Sequence, residues 1–190
     1  DYSGGQVTDW GCHHIDIAHW GMNCDDTGPV EVSGRGVFPE DGLWNAAVDY
    51  DFECGYGNGL VMRVASNNHI PQGIKFIGDA GWVLITRSGL KTDPVDLRKS
   101  KIGPSEIHLP RPAGDHRQGH RRDFLDCVKT RKTTITPAEV GHRSATVAHL
   151  GNIAMIRGRK IQWDPKQERI IGDPSANRML GRAMRSPWHI

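Results

Sequence analysis

What this sequence lacks narrows it first. No apolar run approaches the length of a membrane-spanning helix and no secretory leader is visible in these residues, so no membrane-spanning segment is expected in them. Charge of one sign is equally scarce: Lys and Arg number 24 against 22 Asp and Glu, a formal net charge of +2. That balance gives no electrostatic footprint for nucleic acid or an anionic membrane surface. The four cysteines, Cys12, Cys24, Cys54 and Cys127, contain no CxxC pair and no zinc-ribbon spacing, and they read as free thiols. Internal repeats and low-complexity tracts are absent. The chain opens on Asp1 and not on Met, which leads us to expect a removed upstream segment and leaves the compartment, cytoplasmic or exported, open.

What is present suits one soluble domain. A length of 190 residues with 37% hydrophobic content supports a single sizeable core. The ten histidines are a heavier load than usual, and three of them crowd, with two aspartates, into the opening stretch Gly4-Gly5 through Trp20. At roughly 100° per residue on a helix, Asp9, His13, Asp16 and Trp20 fall within about 60° of one another. Trp10, Ile15, Ile17, Ala18 and Met22 occupy the remaining sectors as an apolar stripe. Gly4-Gly5 permits an unusual backbone entry, and Thr8 or Asp9 is placed to cap the first turn.

Beyond this helix the period changes to two. Residues 30–38, 45–53, 60–67, 74–78 and 82–86 read as strands, with Gly55-Tyr56-Gly57-Asn58-Gly59 and Asp79-Ala80-Gly81 as turns. Residues 94–112 read as a long loop holding one edge strand, at 95–97 or 106–109. Helical spacing returns from Asp115, with Phe124, Leu125 and Val128 as an apolar stripe among basic residues. A second helix starts at Pro137 and stops near Gly158, and a short one spans 175–184, after turns at Asp164-Pro165 and Asp173-Pro174. Strands bracketed by helices predict an α+β fold: an antiparallel open sheet with helices on one face. Exposed Val, Ile and Trp on the other face would favour a homo-oligomer that buries it.

The chemistry-bearing residues admit more than one reading. Histidine titrates near neutrality, so His13 between Asp9 and Asp16 suits an acid/base role. The alternatives are a capped, solvated helix end, or a metal site on Asp9, His13 and Asp16 with Cys12, His19 and Cys24 nearby. No HExxH motif or second cluster completes such a site, and no metal is expected. Gly34-Arg35-Gly36 and the 55–59 glycines are followed by strand, not helix, so the chain carries no dinucleotide fingerprint. His120, Arg63 and Lys75 are further candidates for binding an anionic or hydroxyl-rich ligand, against plain surface roles. The basic residues between Arg117 and Lys132 read as a solvated helix face.

The pattern Gly4-Gly5, Asp9, Gly11, His13, Asp16, Trp20 resembles the catalytic helix that opens the C-terminal domain of Gfo/Idh/MocA oxidoreductases. Looser similarity continues through 120–132 and 137–158 into Trp163-Asp164-Pro165, Ala176-Asn177-Arg178 and Arg185-Ser186-Pro187-Trp188. The resemblance implies that residues 1–190 form a substrate-binding and oligomerisation domain, with 1–24 as the catalytic helix. A Rossmann domain that binds NAD or NADP would precede it in such an enzyme. The implied substrate is a sugar or cyclitol, with His13 as general base on its hydroxyl and Asp9 and Asp16 orienting that histidine and binding hydroxyls. Redox-neutral elimination, epimerisation or glycoside cleavage, and a non-catalytic binding or oligomerisation module, are the alternatives.

Overall fold

The computed structural model describes residues 3–106, 108 and 119–188. Its elements, in chain order, are α1 (Trp10–Met22), β1 (Glu31–Val37), β2 (Asp49–Gly55), β3 (Val61–Ala65), β4 (Ile74–Gly78), β5 (Gly81–Thr86) and β6 (Gly89–Asp93). There follow α2 (Gly119–Thr130), α3 (Ala138–Arg157), β7 (Ile161–Asp164), β8 (Arg169–Ile171) and α4 (Pro174–Asn177). The strands form a five-stranded sheet in the order β3-β2-β1-β7-β8 and a three-stranded sheet in the order β4-β5-β6, antiparallel throughout. This is the α+β architecture expected.

Alternation decides which face is covered. Val32, Phe52, Cys54, Met62, Ile161 and Trp163 are buried beneath α3, whose Val147, Ala148, Leu150, Gly151 and Ala154 complete the core. The closest approach is at Gly151, where a Cβ would stand 2.5 Å from Phe52 Cζ. α1 lies beside α3 and carries Ile15 and Ala18 into the same core. Its far side meets the small sheet, where Phe76 of β4 occupies the space a side chain at Gly21 would need.

The opposite face of the large sheet is not the apolar surface expected. Its outward residues are Ser33, Arg35, Asp51, Glu53 and Arg63, with Val37 and Val61 the outward valines of β1 and β3. Arg63 grips Asp51 through two hydrogen bonds of 2.9 and 2.8 Å, and Lys160 pairs with Glu31 at 3.0 Å.

Other boundaries moved for local reasons. β6 was not anticipated because Leu90 is its one apolar residue; pairing Leu90 with Ile85 makes it a strand. The edge strand expected at 95–97 is a 3-10 turn over Val95–Lys99, and 106–109 lies mostly outside the described residues, as does 115–118. The turn at Asp164-Pro165 joins two strands, β7 and β8, with Asp164 Oδ1 accepting from the backbone N–H of Lys166 and Gln167. Pro137 precedes α3 as its N-cap, extended at ψ 158°, and Gly158 ends the helix at φ 61°. The tail helix is α4 plus a 3-10 turn over Arg178–Leu180, started by Asp173 Oδ1, which accepts from Ala176 N–H. The apolar stripe of α2 stays outside: Phe124, Leu125 and Val128 are all exposed. Among the described residues no helix is long and apolar enough to cross a membrane.

Candidate active site

The chain enters α1 through two residues that only glycine adopts comfortably, Gly4 at φ 85° and Gly5 at φ 68°. They lead into a 3-10 turn over Gly5–Val7 that buries Val7, and Thr8 Oγ1 donates to the Gly5 carbonyl at 3.1 Å. Asp9 then occupies the N-cap of α1 but makes no side-chain capping bond. Its carboxylate instead lines a shallow depression with Thr8, Cys12, Ala145 and His149.

One turn on, His13 is exposed, with its ring edge-on to Trp10 at 5.9 Å and 5.6 Å from His14. Arg87, from the turn between β5 and β6, lies over the Trp10 ring at 4.8 Å and so closes this end of the helix from the other side. Burial, with the charges of His13 and Arg87, holds the His14 imidazole below its ordinary value. Asp16 is half-buried, and its Oδ1 accepts a 2.9 Å hydrogen bond from Ser144 Oγ on α3. Among the described residues, the hydrogen bond of the Asp16 carboxylate therefore goes to Ser144 across the helix pair. Cys12 sits between the two carboxylates: burial, then Asp9 and Asp16, push its thiol up, which keeps it protonated.

His19 has a different fate from the other histidines of α1. It is fully buried, with Nε2 2.7 Å from the hydroxyl of buried Tyr56 and Nδ1 without a partner among the described residues. Burial lowers its affinity for a proton, only partly opposed by the Asp16 carboxylate, and burial likewise pushes the Tyr56 hydroxyl upward. The pair is a neutral strut between α1 and the end of β2.

The structure brings Asp9, His13 and Asp16 onto one strip of α1 and leaves the other candidates elsewhere. Lys75 projects from the face of the small sheet that points away from α1, where its Nζ stands 4.3 Å over the Trp82 ring. Arg63 is held by Asp51 on the uncovered face of the large sheet. His120 is exposed in the first turn of α2. Three neighbours of the site went unnoticed in the sequence: Ser144, His149 and Arg87. Only Ser144 carries a signal, because it shares the buried stripe of α3 with Val147, Ala148 and Gly151, and a buried hydroxyl needs a partner.

Neither a metal nor a dinucleotide fits these residues. Among the described residues no three His, Cys, Asp or Glu side chains gather in a way that could hold a metal ion. Gly34 and Gly36 lie within β1, Gly34 directly against Phe52, and Gly55, Gly57 and Gly59 close the β2–β3 hairpin. None opens a helix, so none offers the backbone cradle that a pyrophosphate requires.

The architecture is that of a domain presenting Asp9, His13 and Asp16 at a helix beside an open antiparallel sheet. Residues 1–190 match the model of the Gfo/Idh/MocA group described as "Oxidoreductase family, C-terminal alpha/beta domain", and the chain belongs to that family. Among solved structures, an NAD-binding protein from Listeria innocua shares the fold at a TM-score of 0.53 and 16% identity, covering 84% of this chain and 51% of that one. A myo-inositol dehydrogenase from Lactobacillus casei aligns at 0.46 and 15% identity, over 93% of this chain and 52% of that one. This chain thus spans about half the length of the solved proteins it matches. The large oxygenase component of a 2,4-dinitrotoluene dioxygenase system from Burkholderia sp. (strain RASC) is 27% identical over 108 residues, 57% of this chain and 23% of that protein. That partial likeness does not extend to a shared family.

Proposed function

We propose that this chain is the substrate-side domain of an NAD(P)-dependent oxidoreductase that acts on a hydroxyl of a sugar or cyclitol. The observation that carries the reading is the exposed imidazole of His13, one turn from the uncapped carboxylate of Asp9 at the accessible end of α1. His13 takes the proton of the reacting hydroxyl, and Asp9 accepts a hydrogen bond from a neighbouring hydroxyl. Asp16, fixed by Ser144, provides a hydrogen-bond acceptor one turn further along. NAD(P) accepts hydride when bound, and a separate nucleotide-binding domain is assigned to hold it, because none of the glycine-rich segments among the described residues forms a dinucleotide cradle. The uncovered face of the large sheet is the surface we assign to a second copy of the chain. Its ion-paired character predicts an association that weakens with salt, readable by light scattering.

The test is product analysis with a polypeptide that joins this chain to its nucleotide-binding domain, supplied with glucose, galactose, xylose or myo-inositol. Accumulating reduced nicotinamide together with a ketone product supports the reading. Product formed without reduced nicotinamide would replace net oxidation with a redox-neutral reaction, and no turnover on any polyol would overturn it.

A further inference from the structure

A groove of about 630 Å³ runs along the solvent side of α3. It is not a separate hollow, because Ser3, Ala145 and His149 line both this groove and the depression at Asp9. Its α3 wall extends from His142 to Ile156, fourteen residues apart, about 21 Å along the helix axis. That is several times the span of one sugar ring. Along this length polar side chains, His149, Thr146 and Asn152, alternate with the apolar surfaces of Ile153, Ile156 and, from the facing segment, Phe38. Glu168, where it lines the groove, is paired with Arg143 at 3.1 Å and hydrogen-bonded to His142 Nε2 at 2.8 Å. The facing wall includes Asn45 and Ala46.

We infer that this groove is a second subsite, holding the remaining rings of an oligosaccharide or glycoside whose reacting ring lies at Asp9 and His13. The inference rests on the proposed reading of that end as the reacting site, and it narrows the substrate to carbohydrates of more than one ring. Pyranose rings present apolar C–H faces rimmed by hydroxyls. A helix wall that alternates hydrogen-bonding groups with apolar patches, with Arg182 and the paired Glu168 as charged members of the groove, matches that chemistry.

Saturation-transfer NMR and calorimetry on the chain test this, with maltotriose, cellotriose and xylotriose compared with glucose and xylose. At least one trisaccharide is expected to bind about tenfold more tightly than its own monosaccharide. Thr146→Trp, which fills the middle of the groove, should abolish that ratio, whereas Glu53→Gln on the opposite face of the sheet should preserve it. Equal affinity for every trisaccharide and its monosaccharide, or a ratio indifferent to Thr146→Trp, would overturn the inference. His13→Ala separates the two ideas: it removes the proposed base and leaves the groove intact. A preserved trisaccharide ratio in a joined enzyme whose turnover does not depend on His13 would sink the catalytic assignment and leave the groove standing.

Discussion

The buried pair of His19 and Tyr56 makes a quantitative claim. His19 is fully excluded from water, and its imidazole makes one side-chain hydrogen bond among the described residues, 2.7 Å to the Tyr56 hydroxyl. Tyr56→Phe leaves both ring nitrogens unpaired at unchanged packing, a penalty of about 1–3 kcal/mol. For a domain of this size each kcal/mol moves Tm by roughly 2–4 °C, so a loss of about 6 °C is the central expectation. His19→Leu strands the Tyr56 hydroxyl instead and should cost a similar amount. The double variant removes both polar partners, so its cost should fall short of the sum of the singles by about 1–3 kcal/mol. Urea titrations with unchanged m-value give all three numbers. Acid sharpens the case. The folded His19 binds a proton less readily than an unfolded histidine, so the unfolded chain holds more protons below about pH 6.5. Stability therefore falls as pH drops through that value, and His19→Leu should flatten the slope. Additive single costs, within about 0.5 kcal/mol, would refute the hydrogen bond.

Other outcomes follow from the packing and the surface. Gly151→Ala drives a methyl into the Phe52 ring and should cost about 1–3 kcal/mol in the same titration. Gly141→Ala, in the same helix with nothing within 4 Å, should stabilise by about 0.5–1 kcal/mol. Arg63→Ala removes an ion pair whose arginine is 46% exposed, so little shift of the urea midpoint, and no change in turnover, is expected. Calorimetric titration of the 190-residue chain with NAD should give no binding heat, and a saturating isotherm would contradict the assignment of the cofactor to another domain.

The sequence made some of this legible and hid the rest for physical reasons. His13 and Asp16 lie on the helix their spacing predicts, with Asp9 at its N-cap. That spacing did not reveal that Ser144, 128 residues away, would take the Asp16 carboxylate. His19 sits between the buried Ile15 and the end of the helix, and only its neighbours' burial, not its own chemistry, marked it as internal. Arg63 and Lys75 show the limit of alternation. Period two separates Arg63 from Met62 and Val64 but is silent on which face of a sheet meets a ligand. β7 and β8 are too short to show a period, and Ile161, Trp163 and Ile170 become strand residues through contact with the rest of the core.

The central claim is that His13 moves the proton, and one measurement reaches it directly. In the joined enzyme, His13→Ala should lower kcat about 10²- to 10⁴-fold, and added imidazole should restore part of that loss. Since His13 is exposed, Tm should stay at the parent value. Turnover within a few-fold of the parent enzyme, or a loss that imidazole does not touch and that tracks a fall in Tm, would contradict the account.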